Sequence, residues 1–201
     1  MYNPKQFQTN ETSVLHDFIR AHPLGLLIST DGRSTEADLI PFYLDAGQEV
    51  LRAHVSKANP QWSRLTEHPH ALVVFQGPQG YITPNWYATK KVDGKVVPTW
   101  NYSMVQVRGP VRVVHDQDWL HRHVSQLTDF FEQSQSTPWA LSDAPASFVH
   151  GQLKGIVGLE VTLKSLEGKW KMSQNRAAED RAGVVEGLRV AGRQDLASLI
   201  P

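Results

Sequence analysis

Apolar residues recur along this chain in two rhythms, and each change of rhythm marks a new element. Val14, Leu15, Phe18 and Ile19 fall on one face at helical spacing. They predict an amphipathic helix from near Asn10 or Glu11 to the breaker His22-Pro23. Leu24 to Thr30 then predicts a buried strand, Asp31-Gly32 a hairpin turn, and Thr35 to Leu44 a second strand. Asp45-Ala46-Gly47 turns the chain into a third strand over Glu49 to Val55. Turns this tight make an antiparallel meander, because a parallel crossover needs a longer connection.

A short helix over Pro60 to Glu67 leads to a fourth strand, Ala71 to Phe75. Tyr81 to Tyr87 is dense in aromatics but broken by Pro84, which predicts an irregular wall. Lys90 to Lys95 reads as an exposed loop, and a long fifth strand runs through Val105 and Val107 to Val114. Asp116 caps a second helix to about Gln135, with Leu120, Val124, Leu127 and Phe131 as its buried face. A helical piece near Ser147 to Leu153, a sixth strand over Gly155 to Leu166 and a final strand over Lys169 to Ser173 follow. A helix from Asn175 to about Leu188 and a tail complete the chain. The pattern is mainly β with peripheral helices: about six antiparallel strands, closed into a barrel. It implies one domain over residues 1–174, with 175–201 packing on the barrel or on a partner subunit.

Composition narrows the chemistry. The 201 residues are 40% hydrophobic and 20% charged, as in an ordinary globular protein. The formal net charge is zero, so no overall field draws the chain to nucleic acid or to an anionic membrane. No cysteine is present, which excludes disulfides, zinc–thiolate sites and thiol catalysis. No apolar run has the length of a membrane span, and Met1 to Lys5 lacks a signal-peptide core, so a cytoplasmic protein is expected. From Lys154 to Arg193 eight Lys/Arg face five Asp/Glu, an excess of three. A helix-turn-helix drawn through Arg181 to Leu199 lacks a recognition helix, so DNA binding is only weakly supported.

Three stretches carry more polar specificity than packing needs. In the first, His54 to Trp62, Asn59 caps a helix that Pro60 opens, beside Ser56 and Lys57. A hydroxyl, an ammonium and free backbone N–H groups suit a phosphate; the same residues also describe a basic surface loop. In the second, Trp86, Tyr87, Trp100 and Tyr102 offer flat surfaces to a planar heterocycle, or else form barrel core. In the third, Lys169 to Arg176, alternation places Lys171 and Ser173 on one strand face, with Gln174 and Asn175 able to read a ring edge. A solvated basic edge is the alternative there. His68/His70 and His121/His123 sit at i and i+2, where helical side chains face apart, so no metal site is expected. No Walker or dinucleotide-binding glycine loop and no nucleophile elbow occurs.

Taken together, Ile40-Pro41-Phe42, A-N-P-Q-W at 58–62, Phe75-x-Gly77-Pro78, V-P-T-W-N-Y at 97–102 and S-Q-N-R at 173–176 resemble a known family. It is the PaiB-type family of FMN-binding negative transcriptional regulators, within the flavin-reductase-like split-barrel group. The likeness spans about Met1 to Leu188. It departs at Ser56-Lys57, where the family leads one to expect Ala-Arg, and at Asp38-Leu39-Ile40, where a histidine is expected. The resemblance implies a six-stranded Greek-key split barrel, a homodimer, and FMN near the subunit interface. By that analogy His54, Val55, Ser56, Lys57 and Asn59 hold the ribityl phosphate, with charge from Lys57. Thr99, Trp100, Asn101 and Tyr102 flank the ring, and Lys171, Ser173, Gln174 and Arg176 complete the pocket. Two functions follow: regulation of transcription through flavin redox or ligand state, or an FMN-dependent oxidoreductase using a nicotinamide donor.

Overall fold

The structure is a computed structural model that describes residues 1–201. Its first elements are β1 (Gln8–Thr9), α1 (Thr12–Ala21), β2 (Leu24–Thr30), β3 (Thr35–Pro41), β4 (Tyr43–Asp45) and β5 (Val50–Ser56). Then come α2 (Gln61–Glu67), β6 (His70–Ile82), α3 (Lys90–Asp93), β7 (Thr99–Val114) and α4 (Gln117–Glu132). The chain ends with α5 (Ala146–Leu153), β8 (Ile156–Thr162), β9 (Ser165–Lys171), α6 (Ala178–Val190) and α7 (Gln194–Ala197). Nine strands replace the six expected, within the expected class of antiparallel β with peripheral helices. No helix is long and apolar enough to cross a membrane. Two compact units are distinguished: 1–15, 76–105 and 167–201 in the smaller, and 16–75 and 106–166 in the larger.

The larger unit carries the strand order β3-β2-β6-β7-β8-β5-β4. The β2–β3 hairpin runs in register from Leu24↔Pro41 to Thr30↔Thr35. Its turn closes as predicted: Asp31 Oδ1 accepts the N–H groups of Arg33 and Ser34, both at 2.8 Å, and Gly32 adopts φ +83°. The single strand expected over Thr35 to Leu44 is instead two. β3 pairs with β2 and β4 with β5, and the change of partner occurs at Phe42. Phe42 anchors that corner, since it is buried, stacks edge-on against Phe75 at 5.7 Å and donates its N–H to Pro23 O. Gly25 lies beneath it, where a Cβ would come within 2.9 Å of Phe42 and 2.8 Å of Phe75. The fourth strand, expected over Ala71 to Phe75, continues to Ile82 through Gly77 and Pro78.

Helix α4 begins as expected, with Asp116 accepting the Trp119 N–H at 2.7 Å. Its buried face is corrected: Leu120, His123 and Leu127 are inside, whereas Phe131 is exposed. Phe130 takes the inward place at that end, with its ring edge-on to Tyr43 at 6.1 Å.

In the smaller unit β9 pairs with β1, Gln8 facing Lys169, and with the start of β7. Ile82, Tyr87, Met172, Val184, Leu188 and Leu196 form its core. Helix α6 starts at Ala178, later than the expected Asn175, because residues 173–176 form a turn. Two of its glycines receive Trp86: a Cβ on Gly183 would lie 2.0 Å from the Trp86 carbonyl oxygen, and one on Gly187 2.3 Å from the indole. Beyond Gly192 at φ +72°, α7 is one turn long with Leu196 and Ala197 buried. The loop expected at Lys90 to Lys95 contains the short α3.

Candidate functional site

The smaller unit gathers two of the three stretches. Strand β9 delivers Lys171 beside the start of β7, where its ammonium donates to Thr99 Oγ1 and, at 2.7 Å, to Trp100 O. Past the strand end, Ser173 adopts φ +61°, a left-handed conformation seldom taken by a residue with a side chain. Asn101 holds it there. Its amide donates to Ser173 Oγ at 3.0 Å, the serine hydroxyl donates back to Asn101 Oδ1 at 3.2 Å, and both side chains are buried.

Gln174 is turned onto its own chain and does not reach outward. Its Oε1 accepts the Met172 N–H and its Nε2 donates to Trp170 O, both at 2.6 Å. Thr99, Asn101, Lys171, Ser173, Asn175 and Arg176 thereby line a cavity of about 40 Å³ with two cations and no carboxylate. Of the two amides expected to read a ring edge, Asn175 lines the cavity and Gln174 does not.

Positive charge accumulates around this cavity. Lys169, almost fully buried, donates to Tyr2 O at 3.0 Å and lies 5.4 Å from the centre of the Tyr102 ring. The Arg176 guanidinium lies 4.5 Å from the centre of the Tyr87 ring. Burial, then Lys169 and Arg176, lower the pKa of Lys171. Burial raises that of the Tyr87 phenol, against the lowering influence of the neighbouring Arg176 guanidinium. Trp100 is half exposed, donating its indole N–H to Gln79 Oε1 at 2.7 Å with Tyr81 edge-on at 6.2 Å. It is a surface aromatic, available to a flat ligand.

The third stretch, His54 to Asn59, belongs to the larger unit, and its side chains divide by role. Val55 points into the core, while its backbone lies in the β5–β8 ladder opposite Val157. His54 is directed at His123 of α4, Nδ1 to Nε2 at 3.1 Å, and burial lowers its pKa. Ser56 Oγ accepts the Ala58 N–H at 3.2 Å, which leaves its own proton to donate. Lys57 is exposed.

Asn59 performs the predicted capping, Oδ1 accepting the Gln61 N–H at 2.8 Å, and its amide donates to Asp38 Oδ2 at 2.7 Å. A carboxylate therefore stands beside the capped helix, and Glu36 and Asp38 line the hollow next to Asn59 and Pro60. Neither His123 nor Asp38 was singled out from the sequence. His123 was set aside as half of an i, i+2 pair, although its i+3 spacing from Leu120 is the signal that would have placed it inside.

A family model described as "Putative FMN-binding domain" matches residues 1–165. An uncharacterized protein of Emericella nidulans is 36% identical over 220 residues, covering 90% of this chain and 88% of that protein. The protease synthase and sporulation protein PAI 2 of Bacillus subtilis is 27% identical over 191 residues, covering 94% of this chain and 89% of that protein. Among solved structures, the flavocytochrome Anf3 of Azotobacter vinelandii matches with a TM-score of 0.65 at 12% identity, over 88% of this chain and 75% of that one. An FAD and heme binding protein of Mycobacterium smegmatis matches with a TM-score of 0.63 at 19% identity, over 87% of this chain and 78% of that one. These last two likenesses concern the fold, which is of the split-barrel type.

Proposed function

The chain belongs to the PaiB-type family of FMN-binding domains, and on that footing we propose that it is an FMN flavoprotein regulating transcription through flavin redox or ligand state. The observation that carries the flavin reading is the carboxylate-free donor set on Thr99, Asn101, Lys171 and Arg176. Ammonium, guanidinium and hydroxyl donors with no competing anion fit the phosphate of a flavin mononucleotide. Lys57 and the Ser56 hydroxyl supply a second set of donors in the larger unit. Trp100 presents a ring face to the isoalloxazine.

Bound FMN supplies the redox chemistry, and the protein's residues supply position and charge. The cavity of about 40 Å³ holds about three water-sized spheres, enough for a phosphate head and not for a tricyclic ring. The ring then rests on a more open surface, which a second copy of the chain would cover; a homodimer follows from this reading. The Bacillus subtilis relative, named for protease synthesis and sporulation, accords with a regulatory role.

The test is the visible absorbance of the purified protein before and after FMN, followed by NADH or NADPH. Flavin bands that shift on binding support the cofactor reading, and unshifted bands of free FMN sink it. A second reading, an FMN-dependent oxidoreductase with only an indirect regulatory effect, is favoured by the zero net charge and the one-turn α7. Bleaching of bound flavin by a nicotinamide donor under turnover conditions would put that reading first. Persistent oxidised bands together with specific retardation of a promoter fragment would put the regulator first.

A further inference from the structure

We propose that residues 171–176 form a phosphate-binding nest. In it the backbone N–H groups of Ser173, Gln174 and Asn175 grip the anion, Lys171 and Arg176 neutralise it, and Asn101 is the positioning residue. The inference deepens the flavin reading and rests on it only where the phosphate is the flavin's own.

Hydrogen-bond accounting carries the first step. The turn's outer N–H groups are used internally, Met172 N–H by Gln174 Oε1 and Arg176 N–H by Ser173 O at 2.9 Å. The three N–H groups between them, on 173, 174 and 175, have no acceptor in the protein. A left-handed residue inside a turn bends successive N–H groups toward one point, the geometry that binds phosphate in backbone nests. The reciprocal bonds with buried Asn101 hold Ser173 in that left-handed conformation.

The electrostatics select the ligand. No carboxylate lines the cavity, while Lys171 and Arg176 do, and Lys169 lies close enough to depress Lys171. An anion reverses that mutual repulsion. The rival location beside Ser56 and Lys57 is less suited to a dianion, because Asp38 and Glu36 face the neighbouring hollow. Gln174, which invites assignment as a ligand, acts by tying the turn to Trp170 and Met172.

The experiment titrates inorganic phosphate into the full chain by ³¹P NMR, and FMN and riboflavin by flavin fluorescence. It uses the wild type, Lys171→Gln, Arg176→Gln, Asn101→Ala and Ser173→Gly, with Lys164→Ala as a charge control. Urea midpoints report folding of each variant. Phosphate affinity is expected to fall at least tenfold in Lys171→Gln, Arg176→Gln and Asn101→Ala. Ser173→Gly should retain it, since glycine keeps both the left-handed turn and the N–H groups.

Competition between phosphate and FMN, with Lys171→Gln lowering FMN affinity toward that of riboflavin, assigns the nest to the flavin's phosphate. Undiminished phosphate binding to FMN-loaded protein assigns it to a second phosphate-bearing ligand. Absence of phosphate binding, together with an FMN-over-riboflavin preference that survives Lys171→Gln and vanishes in Lys57→Ala, overturns the nest and leaves the flavin reading intact. Lys171-dependent phosphate binding without any flavin binding does the reverse.

Discussion

His54 Nδ1 and His123 Nε2 lie 3.1 Å apart, within hydrogen-bond distance, with the donor set by the tautomer. Trp119 stacks on His123 at 5.1 Å, and it fits there because Gly158 has no side chain: a Cβ would lie 2.3 Å from that indole.

This pair makes the larger unit sensitive to acid. Burial, with His54 and Arg52 adding like charge, lowers the pKa of His123 to about 3 from an ordinary 6.5. Between those values the unfolded chain binds a proton that the folded chain refuses, so stability falls as pH falls. The slope is about 1.4 kcal/mol per pH unit for His123 while it stays neutral. Urea unfolding at pH 7, 5.5 and 4.5 should show it, and His123→Gln should flatten it. An equal slope in the variant would remove His123 as the source.

The α6 glycines give a packing prediction with an internal control. Gly187→Ala drives a methyl into the Trp86 indole and should destabilise by about 1–3 kcal/mol. Gly151→Ala in α5 meets nothing within 4 Å and should stabilise by about 0.5–1 kcal/mol. Thermal or urea melts of both variants check the signs.

Asn101→Ala strands the buried Ser173 hydroxyl and should cost about 1–3 kcal/mol in urea unfolding. Adding Ser173→Gly should recover part of it, because both the strain and the orphaned hydroxyl disappear. A double variant no more stable than Asn101→Ala would show that the strain is held by other contacts.

Asn59→Ala removes both the cap on Gln61 and the partner of Asp38. The expected loss is about 1 kcal/mol. Because Asn59 already spends its oxygen on Gln61 N–H and one amide proton on Asp38, FMN affinity should change far less than in Lys171→Gln. FMN titration of the two variants separates a capping role from a ligand role.

The short-range devices were legible in the chain: the Asp31-Gly32 hairpin, the Asn59 and Asp116 caps, and the amphipathic α1. Each is decided within a few residues by side chains meeting nearby backbone. What escaped depends on distant partners. Nothing local to Phe42 reveals that β3 and β4 pair with different strands, and Pro78 reads as a breaker because its extended backbone is compatible with β6 only in that sheet context. His123 is buried because His54 waits for it 69 positions earlier. Within the candidate site, the basic residues of 169–176 could be named from the sequence. That Ser173 turns left-handed could not, since Asn101, which holds it there, lies 72 positions earlier.

In the larger unit, β3 and β4 stand at opposite ends of the strand order, yet Phe42 alone separates them along the chain. The two edges of the sheet are therefore stretches of one continuous segment. One edge, β4, is three residues long; the other, β3, carries Glu36 and Asp38. A foreign strand finds either too little backbone to pair with or like charges to oppose it, which are features that keep β-rich chains from aggregating edge to edge. Neither edge of this unit invites strand addition, so self-association that preserves the fold has to proceed through side-chain faces.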